Sequence, residues 1–194
     1  MSLQLHYDSE TSSMIQFREP SGSPGQPHIV QLAACLVDTS SRSIVSSMDV
    51  IVRPIDWVFD QQSQAVHGIS LEEAMDVGVP EEMALEMLLA LWGDGRERVA
   101  YNASFDKRII RIAMKRYGYD SDDFMMDKWA DKDTHLCTML MAQKALGLGK
   151  WPKLEDIYLQ LIGKPYENAH RAMPDTLASM EVYWKMLDME AGCE

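Results

Sequence analysis

Two apolar runs, HIVQLAACLVD (28–38) and SIVSSMDVIVRP (43–54), flank the four polar residues TSSR (39–42). Their β-branched residues and the short polar break read as two strands of a hairpin. An earlier stretch, 2–8, reads as a strand of its own, and the Gly/Pro/Ser-rich loop REPSGSPGQP (18–27) separates it from the hairpin. Beyond the hairpin the period changes. AVHGISLEEAMDVG (65–78) holds a turn and short helical pieces, with Ser70 and Glu73 at capping-box spacing. A helix over 81–92 follows Pro80, a strand covers RVAYN (98–102), and a helix covers ASFDKRIIRIAMKRYG (103–118), with Asn102 as its expected cap. Further helices are expected near 134–146, 153–162 and 174–190. Strands alternating with helices place the chain in the α/β class.

The chain's 194 residues suffice for one domain with a substantial core. No repeat or linker divides it, so a single domain over 1–194 is expected. MALEMLLALW (83–92), the longest apolar helix-like run, is too short for a membrane span and is interrupted by Glu86. Nothing at the N-terminus reads as a secretory signal. Cys35, Cys137 and Cys193 are odd in number and form no CxxC pair, which speaks for a reducing compartment, the cytoplasm, and against a disulfide framework. The formal net charge of −12 argues against nucleic acid as a partner, because phosphate binding usually leaves a basic footprint. Bound divalent cations reverse that argument locally, since they are often the largest charges in a site.

Most other features have plain structural explanations. The acidic stretch DSDDFMMDKWADKD (120–133) lacks the glycine and the terminal glutamate of a calcium loop and reads as a solvated loop. Helix 107–117 is amphipathic, and its arc of Lys107, Arg108, Arg111 and Lys115 reads as a solvent-facing stripe rather than a phosphate-binding one. Three stretches fit such explanations poorly when taken together. Asp8 and Glu10 stand two residues apart at the end of the first strand, so both acids project from one face and repel each other. In YNASFD (101–106) a strand runs into a helix whose first turn carries Asp106. In HRAMPDT (170–176) Pro174 suits the first helical position, Asp175 follows it, and His170 lies in the loop before. Strand and helix ends of this kind are where α/β proteins gather their sites.

These stretches resemble, in order, the three motifs of the DEDD 3′–5′ exonucleases. The chain looks most like the histidine-bearing subgroup that includes the proofreading subunit of bacterial replicative DNA polymerase and oligoribonuclease. Asp8, Glu10 and Thr11 match the first motif, Asn102, Phe105 and Asp106 the second, and His170 and Asp175 the third. HGIS (67–70) matches a His-Gly-Ile turn common in the family. Two departures stand beside the motifs: Tyr101 occupies a place where the family often has His, and Ser12-Ser13 replaces a common Thr-Gly.

The resemblance implies a ribonuclease H-like fold, with a mixed five-stranded sheet, the first strand central, and helices on both faces. The fifth strand is then expected near 131–135. It also implies a metal-dependent enzyme that removes nucleotides from the 3′ end of single-stranded nucleic acid, releasing 5′-monophosphates. DNA is favoured over RNA, an RNA-trimming or oligoribonuclease-type enzyme is the alternative, and a non-catalytic nucleic-acid or polymerase-accessory module is a third reading. Four converging carboxylates raise one another's pKa unless counter-charge is present. Two Mg²⁺ or Mn²⁺ ions supply it, and oxygen-only ligands favour them over zinc. On the resemblance, Asp8 would touch both ions, Glu10 and Asp175 would complete the water-activating site, Asp106 would support the second ion, and His170 would take the proton of the attacking water. Thr11, Asn102 and Phe105 would hold the terminal nucleotide. A DNA polymerase or another replication or repair protein is a possible partner on the same ground.

Overall fold

The hairpin is present: β2 (Ile29–Asp38) and β3 (Ser43–Ile51) pair antiparallel, and β2 pairs antiparallel with β1 (Leu3–Thr11). On its other edge β1 takes β4 (Glu97–Ala100) in parallel, and β4 takes β5 (His135–Cys137) in parallel. The resulting order, β3-β2-β1-β4-β5, is the mixed five-stranded sheet with a central first strand expected from the motifs. The computed structural model describes residues 2–93, 95–119 and 123–192.

Alternation along β1 decides which helix meets which side chain. Leu5 and Tyr7 point into the main core with residues of α3 (Glu81–Trp92), α4 (Ala103–Arg116) and α5 (Asp123–Ala130). Gln4 and His6 point the other way, toward α8 (Ala172–Glu190): the Gln4 amide donates to the Tyr183 hydroxyl at 3.1 Å, and the His6 and Tyr183 rings lie 5.3 Å apart. Behind α8 pack α6 (Thr138–Ala145) and α7 (Leu154–Ile162), joined in a second cluster around Ile157, Val182 and Met186. Helices therefore cover both faces. Leu5, Leu85, Leu88, Ile109 and Ile110 are fully buried between sheet and helices, each contributing about 1.5–3 kcal/mol of transfer free energy. Two short helices, α1 (Gln61–His67) and α2 (Leu71–Val77), link β3 to α3; Gly68 between them adopts φ 69°, and the Ser70 hydroxyl caps α2 by accepting from the Glu73 N–H. No helix among the described residues is long and apolar enough to cross a membrane.

Several boundaries differ from the sequence reading. β1 continues to Thr11 because Ser9 and Glu10 still pair with Leu32 and Gln31, and a bulge follows Glu10. The acids are thus held within the strand. The stretch expected to be a solvated loop contains α5; residues 120–122 lie outside the described ones. Trp129 anchors that helix, fully buried, with its indole N–H on the Lys107 carbonyl at 3.0 Å and the Arg98 guanidinium over its ring at 4.4 Å. The fifth strand is only His135–Cys137, shifted from 131–135, and the helix after it starts at Thr138. α8 begins at Ala172, so Pro174 sits third in the helix, where the missing N–H is still harmless. Asn102 holds the cap position of α4 without a side-chain cap bond; its Oδ1 accepts from the Ser104 hydroxyl at 3.0 Å. Among the described residues Cys35 and Cys137 are free thiols; Cys193 lies outside them.

The cationic arc of α4 is also not simply solvated. Arg108 donates to the carbonyls of Gln16 and Glu19 at 3.2 and 2.5 Å, Arg111 to the Ser21 hydroxyl at 3.1 Å, and Lys107 to the Ala130 carbonyl at 2.7 Å. These bonds fasten the loop after β1 and the end of α5 to α4.

Candidate active site

Asp8 and Glu10 leave β1 on the face covered by α8, and Asp175 comes from the first turn of α8. One carboxylate oxygen from each of the three lies within 4.8 Å of the others. Ser9, between the two acids, points to the α4 side. There its backbone N–H and its hydroxyl both donate to Oδ1 of Asp106, at 3.1 and 2.7 Å. Asp106 is only 2% exposed, in the first turn of α4, where the helix dipole favours a negative charge. All four carboxylates line one cavity of about 300 Å³.

The electrostatics are those of charges crowded out of water. Burial, then Asp106, Glu10 and Asp175, push the Asp8 carboxyl well above its ordinary range. Burial, reinforced by Asp175 and Asp106, raises Glu10 to about 8, although Arg171 pulls it down. Burial raises Asp106 to about 7 against the two hydrogen bonds from Ser9, and burial raises Asp175 against the bonds from Tyr166 and His170. Protons or cations must sit among these groups at neutral pH. An all-oxygen donor set of three close carboxylates, with a fourth aimed into the same cavity, fits divalent metal.

Asp175 is held from two sides. The Tyr166 hydroxyl donates to its Oδ1 at 2.9 Å, and the backbone N–H of His170 reaches both of its oxygens at 3.2 and 3.3 Å. His170 has φ 66°, the left-handed region that costs a β-carbon about 1 kcal/mol or more, and the bonds from its N–H compensate. Its side chain is exposed and lines the cavity. Asn102 and Phe105 line the cavity too. Thr11 does not stand among the lining residues; it is 8% exposed, and its hydroxyl donates to the Ser13 carbonyl at 3.0 Å.

Four residues that the motifs did not single out belong to this site. Ser9 orients Asp106, Tyr166 orients Asp175, and Lys153 and Glu155 line the cavity from the start of α7. Ser9 could have been found from its place between two acids. Tyr166 lies in a polar loop with no spacing that marks it. Tyr101, at the first position of the second motif, donates its hydroxyl to the Pro152 carbonyl at 3.0 Å.

A cluster of carboxylates at the end of the central strand of a mixed α/β sheet defines a metal-competent site of the nuclease type. The chain belongs to the exonuclease family, whose model matches residues 5–183. Its fold is similar to that of Escherichia coli exonuclease I. The complex of that enzyme with a dA16 oligonucleotide superposes with a TM-score of 0.76 at 23% identity, covering 97% of this chain and 41% of that one. Its complex with dT13 gives a TM-score of 0.72 at 21% identity with the same coverage. A zinc-bound form of its complex with single-stranded DNA gives 0.73 at 22% identity, again with the same coverage. The chain thus spans about two fifths of the length of these enzymes. Comparison with curated proteins finds no match.

Proposed function

We propose that this domain is a metal-dependent 3′–5′ exonuclease that releases nucleoside 5′-monophosphates from single-stranded nucleic acid, with DNA the favoured substrate. The observation that carries the reading is the carboxylate triplet within 4.8 Å, sharing a cavity with Asp106 and His170 in a member of the exonuclease family. The DNA-bound state of the similar exonuclease I structures supports the choice of substrate and lends none to a polymerase partner.

Asp8, Glu10 and Asp175 would hold one divalent cation, and Asp8 with Asp106 a second, Mg²⁺ or Mn²⁺ by the hardness of the donors. Bound there, the ions would activate the attacking water and stabilise charge on the leaving 3′-oxygen. The chain's own residues supply the rest. Ser9 fixes one oxygen of Asp106, and Tyr166 with the His170 N–H orients Asp175. His170 accepts the proton of the water as it attacks. Phe105 and Asn102 seat the terminal nucleotide, while Thr11 acts from beside the cavity by shaping the chain at the bulge.

The test is digestion of oligomers of matched sequence, in DNA and in RNA, labelled at either end, with Mn²⁺ and with chelator. Progressive loss from the 3′ end, dependence on metal, and abolition by Asp8→Asn are expected, with a 3′-phosphorylated end resisting. Shortening from the 5′ end, or cleavage that survives chelation, would overturn the reading. The RNA arm decides the sugar.

A further inference from the structure

A second cavity, of about 450 Å³, adjoins the catalytic one and shares Asn102 with it. Its lining inverts the charge of the protein. Among the described residues Lys107, Arg108, Arg111 and Lys132 line it and no carboxylate does, in a chain of net charge −12. Two aromatic rings line it as well, Trp151 at 70% exposure and Phe17 at 57%, with the Arg108 guanidinium 5.3 Å from the Phe17 ring centre.

The cations of the lining crowd one another. Burial lowers the Lys107 pKa, and Arg98, Lys132 and Arg111 lower it further, with Asp131 opposing them least of the group. Burial and Arg108 lower that of Arg111. An arriving anion would relieve both. Lys107 keeps further donors after its bond to the Ala130 carbonyl, because an ammonium has three.

The two cavities are mechanically joined. The Tyr101 hydroxyl pins the Pro152 carbonyl at 3.0 Å. On either side of that proline, Trp151 lines the basic cavity and Lys153 the carboxylate one. A strand whose 3′ end enters the catalytic cavity must leave it somewhere, and this path offers cations for phosphates and flat faces for bases. Bare backbone charge with sequence-tolerant stacking is how single strands are held without base readout.

We propose that this cavity is the track for the 5′-ward part of a single-stranded substrate, with Lys107, Arg111 and Lys132 meeting phosphates and Trp151 and Phe17 stacking on bases. The proposal rests on the exonuclease reading and adds to it the place where a long substrate is distinguished from a short one. Tyr101 is a positioning residue in this scheme, acting through Pro152.

The experiment uses Lys132→Glu and Trp151→Ala, singly and combined, both at exposed positions. One measurement compares kcat/KM in Mn²⁺ for a twelve-nucleotide deoxythymidylate strand and for the p-nitrophenyl ester of thymidine 5′-monophosphate, which is confined to the catalytic cavity. The combined variant is expected to lose at least about tenfold more on the strand than on the ester, mostly through KM. The second measurement is fluorescence anisotropy of the same strand carrying 5′-fluorescein, in chelator and over a range of salt. Wild-type binding should weaken with salt, and Lys132→Glu should lower the slope by about 1. Equal losses on strand and ester, or undiminished strand cleavage, would overturn the track. If the wild type cleaves neither substrate, the exonuclease reading fails, and anisotropy then judges the cavity alone. Salt-sensitive binding weakened about tenfold by the combined variant upholds it, while absent or undiminished binding sinks it.

Discussion

Ser9 grips a single oxygen of Asp106 with two donors, its backbone N–H at 3.1 Å and its hydroxyl at 2.7 Å. Oδ1 is thereby fixed and the orientation of the whole carboxylate with it. Ser9→Ala keeps the N–H bond and deletes the shorter one. A hydrogen bond to a charged group contributes about 1.5–3 kcal/mol, so we expect turnover to fall by about tenfold or more. Single-turnover cleavage at saturating Mn²⁺ measures this directly. A wild-type rate would show that the N–H alone aims Asp106.

Tyr166→Phe removes one hydroxyl and keeps the ring. The bond it deletes, 2.9 Å to Asp175 Oδ1, is the largest influence holding that carboxyl down against burial. Without it Asp175 takes up its proton more readily, and metal must compete with that proton. Mn²⁺ affinity should therefore weaken, and by more at pH 6 than at pH 8. Calorimetric titration at the two values checks it; an equal loss at both would mean the hydroxyl acts only by geometry.

In the metal-free protein the carboxylate cluster should cost stability as pH rises. Glu10 and Asp106 bind protons up to about 8 and about 7 when folded, against ordinary values of 4.5 and 3.8. Between those limits these two carboxyls hold more protons in the folded state than in the unfolded chain, so their contribution to stability falls across the window from about pH 4 to 8. His6 and His135, each lowered to about 3 chiefly by burial, act in the opposite sense, removing stability as pH falls below their ordinary 6.5. They are not ligands, so they cancel in the difference between metal-loaded and metal-free melts. Metal at about 100 times its Kd adds about 2.7 kcal/mol, or about 5–10 °C. The gain should be larger at pH 8 than at pH 5.5. A gain that shrinks with pH would contradict a carboxylate seat.

His170→Gly separates chemistry from folding. The left-handed φ of 66° suits glycine better than any side chain, so the variant should melt no lower than the wild type. Its rate should fall about 10²–10⁴-fold with loss of the positioned base. Full activity would remove His170 from the mechanism, and loss of Mn²⁺ binding would make it a ligand instead.

The motifs make the carboxylate cavity legible because it is built from residue type and short spacing. Asp8 and Glu10 share a face by strand alternation alone, and Asp106 and Asp175 mark helix starts. The residues that hold them were less visible. Ser9 and Tyr166 act through contacts made across the fold, Ser9 with a residue far along the chain. Thr11 stands where the motif places a nucleotide contact, and its hydroxyl donates to the Ser13 carbonyl. α5 was hidden because its acidic residues dominate the composition while one buried tryptophan decides its packing. For the α4 stripe, spacing gives a face and not what that face meets. For Ser9, α5 and the α4 stripe, tertiary contact rather than local propensity decides.

The central strand joins an antiparallel hairpin on one edge to a parallel neighbour on the other, and its acids meet partners from α4 and from α8. Nothing local builds this arrangement. As the chain emerges from the ribosome, Asp8 and Glu10 appear well before Asp106, and Asp106 well before Asp175. A growing polypeptide therefore carries a strand studded with charge long before it can seat an ion. The proposed capacity to cut nucleic acid would arrive only once α8 has docked, so the activity itself would report that the fold has closed.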